Sequence, residues 1–179
     1  MSVWNFNMTP VRVPKVTTKN RKIATRLPVP ASLSLFKQLD MYESRSMHGQ
    51  MPVVWDKAVD FQVYDGYGNC WIDFTSTIFV ANSGHANKAV ISALSGKIKQ
   101  KLLHTYTFAH TSRADFVKKL IEISPRQFEK AFLLSAGTEA TECAVKLMRL
   151  NGQRYKKSKI GIVSFLGGMH GRTMGAEML

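Results

Sequence analysis

The sequence predicts an α/β fold with a parallel sheet, and two features carry that expectation. Residues 131–134 and 160–165 are apolar runs of strand length. Between them, from Thr138 to about Leu150, Ala140, Ala144, Leu147 and Met148 share one helical face. Strand, helix and strand in close succession form a βαβ unit, which pairs its strands in parallel. Such a sheet is buried on both faces and requires more strands and helices than these. The organisation therefore reads as an incomplete domain.

The remaining elements follow in chain order. Residues 1–30 hold six basic residues, no acidic one and four of the six prolines, the pattern of an extended arm with little helix. A transit peptide shares the basic, acid-poor composition, but these prolines spoil an amphipathic helix, and a plain terminal arm is the preferred reading. Leu33, Phe36 and Leu39 predict a short helix over 31–42. Val53-Val54-Trp55 reads as a strand. The runs 61–64 and 71–74 flank Asp65-Gly66-Tyr67-Gly68-Asn69, a hairpin signal. Beyond His85, Val90, Leu94, Ile98 and Leu102 recur every fourth residue and mark one apolar helical stripe, beside which Lys97, Lys99 and Lys101 read as a solvated face. Phe116, Val117, Leu120 and Ile121 mark a helix over 112–123 that Pro125 stops. The expected division is an arm over 1–30, a small-domain segment with the hairpin over 31–85, and the first part of a larger domain over 86–179.

Composition narrows the function classes. Among 179 residues, 45% are hydrophobic and 21% charged, which suits a folded chain rather than a disordered one. No apolar run reaches the roughly 18 residues of a membrane span, so no membrane partner is expected. Cys70 and Cys143 form no framework, and a reducing cytoplasmic setting is the default. His48, His85, His104 and His110 show no metal-ligand spacing. The net charge of +13 divides into +4 over residues 1–90 and +9 over 91–179. Charge of this kind serves nucleic acid or an anionic substrate. We read it instead as a lopsided piece of a larger, more neutral protein, with no nucleic-acid partner.

Two loops carry the candidate chemistry. Ser135-Ala136-Gly137-Thr138-Glu139 opens the helix of the βαβ unit. A helix start leaves main-chain N–H groups unpaired and adds the positive end of the macrodipole, so it can hold a phosphate. Alternatively, Ser135 or Thr138 caps the first turn and nothing else binds. Gly167-Gly168-Met169-His170-Gly171-Arg172-Thr173 follows the second strand. In an open parallel sheet both loops emerge at the carboxyl edge, where ligands sit.

From about Pro52 to Leu179 the chain resembles the N-terminal part of a class III aminotransferase. These pyridoxal-phosphate enzymes include the 4-aminobutyrate, ornithine and acetylornithine aminotransferases. Four ordered segments carry the resemblance: 63–74, then Thr75-Ser76-Thr77-Ile78 with Asn82-Ser83-Gly84-His85, then Leu134-Ser135-Ala136-Gly137-Thr138-Glu139-Ala140, then Met169-His170-Gly171-Arg172-Thr173. The resemblance implies an incomplete fold-type I transferase, with pyridoxal 5′-phosphate as cofactor. It implies that the N–H groups of Gly137 and Thr138 bind the cofactor phosphate, that His170 lies beside the cofactor, that Arg172 pairs with the substrate carboxylate and that Ile78 lines the substrate pocket. Met169 stands where the family has an aromatic residue on the pyridine ring, and its thioether can pack there without ring stacking. Ser135 and Ala136 depart from the family's Asn-Ser at the phosphate cup. The resemblance places the Schiff-base lysine beyond Leu179, so no catalytic residue is expected within this chain, which reads as a fragment. The implied reaction moves an amino group from an amine or ω-amino acid to a keto acid, in an enzyme that is a homodimer at full length. An aminomutase of the same family and a non-catalytic, dimerising or cofactor-binding fragment are the alternatives.

Overall fold

The structure is a computed structural model and describes residues 4–179. It comprises two compact units, Met1–His104 and Thr105–Leu179.

The first unit is built on one antiparallel sheet of five short strands, in the order β1-β2-β5-β4-β3. These are β1 (Val16–Thr17), β2 (Lys22–Ile23), β3 (Lys57–Val59), β4 (Gln62–Tyr64) and β5 (Cys70–Ile72). The hairpin anticipated around Asp65–Asn69 joins β4 to β5, with Val63 opposite Trp71 and Tyr64 opposite Cys70. Its turn is held by Asp65, whose Oδ1 accepts from the Tyr67 and Asn69 N–H groups at 3.0 and 2.8 Å. The arm is extended as expected, and part of it belongs to the sheet. Lys22 pairs with Cys70, and Asn69 fastens the adjacent backbone: its Oδ1 accepts from Ala24 N–H at 2.8 Å and Thr25 N–H at 3.3 Å. Ile23, Val63 and Cys70 are buried in the core, as are Val29 and Phe36. Helix α1 (Leu33–Tyr42) falls where the periodicity places it and buries Phe36. Val53-Val54-Trp55 is not a strand; β3 starts at Lys57 instead, and Trp55 packs edge-on against the His85 ring at 5.8 Å. Helix α2 (Lys88–Lys99) is capped by Asn87, whose side chain accepts from Ala89 and Val90 N–H. Its predicted stripe of Val90, Leu94 and Ile98 is exposed.

The second unit holds α3 (Thr111–Glu122), α4 (Gly137–Tyr155) and α5 (Met174–Glu177). The Nδ1 atom of His110 caps α3 by accepting from Ser112 N–H at 3.1 Å. α4 runs one turn longer than predicted and buries Val145, while α5 buries Ala176. The helix of the βαβ unit is therefore present, but its two strands are not. Among the described residues, 131–134 and 160–165 enter no ladder. Parallel strands are stabilised by neighbours on both edges and helices on both faces. Here Phe132 and Val163 stay 74% and 97% exposed, so these runs lack the cover on both faces that such strands need.

Candidate functional site

The start of α4 is open. Its N-cap residue is Ala136, which has no side chain able to accept from the first turn. Ser135 does not cap α4: its N–H donates to Glu139 Oε2 at 3.0 Å and its hydroxyl donates to the same atom. Those bonds, the hydroxyl's foremost, hold the Glu139 carboxyl below its usual range. Thr138 does not cap the helix either, because its side chain turns to the loop after residue 168. A Cβ at Gly137 would meet nothing within 4 Å, so the first residue of α4 is unobstructed on that side. A helix start whose N-cap residue supplies no side-chain bond to its first N–H groups can hold a phosphate group.

The second loop is fastened to this helix start. Thr173 N–H reaches Thr138 Oγ1 at 3.2 Å, and the two hydroxyl oxygens are 2.8 Å apart. Thr173 Oγ1 also donates to Glu142 Oε1 at 2.7 Å, and Gly175 N–H donates to the same oxygen at 2.9 Å. The hydroxyl bond leads the causes that hold Glu142 below its usual carboxylate range; partial burial opposes it. Gly171 lies between, with φ of +132°. Upstream, the His170 ring is tucked beneath Gly168, where a Cβ would fall 2.7 Å from Nε2. That nitrogen is buried without a hydrogen-bond partner among the described residues. Met169 is 72% exposed, and Arg172 is exposed with no ion pair among the described residues.

Five of the six residues expected at the site thus share the second unit: Gly137 and Thr138 at the helix start, Met169, His170 and Arg172 on the attached loop. Ile78 belongs to the first unit. It sits 69% exposed on a left-handed turn over Ser76–Phe79, in which all four residues have φ between 46° and 66°. That turn is anchored by Asp73, whose side chain is 3% exposed. Asp73 Oδ1 accepts from Thr75 N–H, Thr75 Oγ1 and Ser76 N–H, and Oδ2 lies 2.7 Å from His85 Nε2. Burial alone would raise the Asp73 pKa. The bond from His85, then those from Thr75 and Ser76, prevail and lower it to about 2. A cavity of about 310 Å³ is lined by Asp60, Phe61, Asp73, Ser76, Gly84 and His85 among others.

Sequence reasoning missed Glu142 and the structural part of Thr173. Glu142 stands four residues after Thr138, one turn along the same helical face, and that spacing was the available signal.

In this α/β chain the start of α4 is fastened to a loop that carries His170, Gly171 and Arg172. Comparison with known proteins identifies the family. The chain belongs to the class-III aminotransferase family, whose model matches residues 43–177. It is 31% identical to an acetylornithine aminotransferase of Methanopyrus kandleri over 77% of this chain and 34% of that protein. It is 33% identical to a 5-aminovalerate aminotransferase of Pseudomonas aeruginosa over 79% of this chain and 32% of that protein. The solved ornithine aminotransferase of Toxoplasma gondii superposes with a TM-score of 0.68 at 24% identity, over 84% of this chain and 35% of that one, a likeness of fold. The chain therefore spans about a third of the length of these relatives. Enzymes of this family depend on pyridoxal phosphate and share the fold-type I architecture, and the α/β class expected from the sequence holds for this portion of it. Among the described residues no helix is long and apolar enough to cross a membrane.

Proposed function

We propose that this chain carries the phosphate-holding side of a pyridoxal-phosphate transaminase that moves an amino group from an ω-amino acid to a keto acid. The observation that carries this reading is the union of the open α4 start with the 169–173 loop through Thr138 and Thr173. Family membership supports the cofactor, and relatives named for acetylornithine and 5-aminovalerate favour a donor with its amino group remote from a carboxylate.

In this reading the N–H groups of Gly137 and Thr138 hold the phosphate, with the helix dipole favouring the dianion. Met169 packs its thioether on the ring, and His170 lies beside it. Arg172 presents a fork of donors that matches both oxygens of a substrate carboxylate. Ile78 lines the substrate pocket. Bound pyridoxal phosphate supplies the carbonyl that takes up the amino group and the ring that withdraws electrons. None of this chain's lysines is assigned to the cofactor. In its full-length form the enzyme is a cytoplasmic homodimer.

Titration of the chain with pyridoxal 5′-phosphate and with pyridoxal tests the reading, followed by ring absorbance. The phosphate ester should bind at least tenfold more tightly, and Gly137→Pro, which removes one N–H, should erase most of that preference. Equal affinity for the two compounds would refute the reading. Turnover of 5-aminovalerate and a keto acid by this chain alone would refute the absence of a lysine assignment.

A further inference from the structure

Proton accounting around Glu142 assigns a role to a side chain that the reading above leaves unused. An ionised carboxylate only accepts hydrogen bonds, and a threonine hydroxyl has one proton to give. Thr173 Oγ1 gives its proton to Glu142 Oε1, 2.7 Å away. The bond between the two hydroxyls, 2.8 Å long, must then be donated by Thr138. Thr173 N–H donates back to Thr138 Oγ1 at 3.2 Å. The result is a directed chain: Thr173 N–H to Thr138 hydroxyl, Thr138 hydroxyl to Thr173 hydroxyl, Thr173 hydroxyl to Glu142. The same Oε1 receives Gly175 N–H at 2.9 Å, so one oxygen fixes both the hydroxyl and the first turn of α5. The carboxylate lies flat against Gly175, where a Cβ would come 2.8 Å from Glu142 Cδ.

We propose that Glu142 is a positioning residue: it commits the Thr138 hydroxyl proton to Thr173, leaving the Thr138 main-chain N–H as that residue's donor toward an anion. The inference rests on the reading of the α4 start as a phosphate site. With its proton spent, the Thr138 side chain cannot donate to a phosphate oxygen. Its rotamer is pinned onto the loop, and the loop bearing His170 and Arg172 is held to the helix start by the same bonds. Removing the carboxylate frees both hydroxyls to turn and the loop to lift.

The test is a titration of the full chain with pyridoxal 5′-phosphate and, separately, inorganic phosphate, followed through the 1H–15N resonances of Gly137 and Thr138. In the wild type both amide protons should shift downfield as either anion binds. Glu142→Ala should weaken pyridoxal 5′-phosphate binding at least tenfold and abolish the Thr138 shift. Glu142→Gln, whose amide oxygen can take both bonds at Oε1, should bind within threefold of wild type. Should Glu142→Ala fail to fold, Thr173→Ser and Thr173→Val replace it, the first retaining affinity and the second losing it tenfold. Wild-type affinity in Glu142→Ala or Thr173→Val would overturn the role of Glu142 while leaving the phosphate site standing. No shift and no binding in the wild type would overturn both.

Discussion

Gly171 lies directly against Thr138: a Cβ on Gly171 would fall 2.8 Å from Thr138 Cα and closer still to its side chain. With φ at +132°, the position also disfavours any L side chain. Gly171→Ala should therefore push the loop from the helix start. We expect a loss of about 1–3 kcal/mol from overpacking alone, read by urea denaturation, together with weaker binding of pyridoxal 5′-phosphate. Unchanged stability would mean the loop gives way without cost.

Asn69 is 1% exposed and joins three segments. Besides the Ala24 and Thr25 N–H groups at its Oδ1, its Nδ2 donates to Thr25 Oγ1 at 2.8 Å and Asp65 Oδ2 at 2.6 Å. Asn69→Ala strands several of these groups, at about 1–3 kcal/mol for a buried one left unpaired. Chemical denaturation should register a loss near the top of that range, and amide exchange at Ala24 and Thr25 should accelerate.

The Asp73 carboxyl titrates at about 2 in the folded chain, against roughly 3.9 in an unfolded one. A lowered pKa means the stabilisation is present above the unfolded value and is lost as pH falls from about 4 toward 2. Thermal melting across pH 2–5 should show this loss, and Asp73→Asn should flatten it while lowering stability at pH 7. A slope that Asp73→Asn leaves unchanged would assign the effect to other carboxylates.

The left-handed turn over Ser76–Phe79 contains two β-branched residues, Thr77 at φ 53° and Ile78 at φ 59°. A left-handed conformation costs an L-residue roughly 1–2 kcal/mol. Thr77→Gly should stabilise the chain by about 1 kcal/mol, less than the full strain because glycine also frees the unfolded chain. A fall in melting temperature would show that the Thr77 hydroxyl bond to Ser76 O outweighs the strain.

The hairpin and the main helices were legible because local chemistry specifies them. Asp65, Gly68 and Asn69 write a turn, and apolar spacing writes α1 through α4. The runs at 131–134 and 160–165 read as strands because their composition is that of buried strands, yet a strand exists only through its neighbours. Phe132 and Val163 pair with no strand among the described residues. Ser135 and Thr138 illustrate a second limit. Both are good capping residues by type, but their partners, Glu139 and Thr173, are set by tertiary position. The Asp73–His85 bond joins residues twelve apart across an irregular segment and follows no periodicity that a sequence displays.

The stitched arm has a consequence for how this chain behaves among its own copies. Strand β5 would otherwise present a bare row of donors and acceptors beside β4, an invitation to intermolecular pairing. By laying β2 along it and continuing with only two residues of β1, the arm closes that border with a stub too short to template another chain. Cleaving the polypeptide before Asn69's partners at Ala24 and Thr25 would untether β2 and leave β5 as an edge open to pairing with another chain.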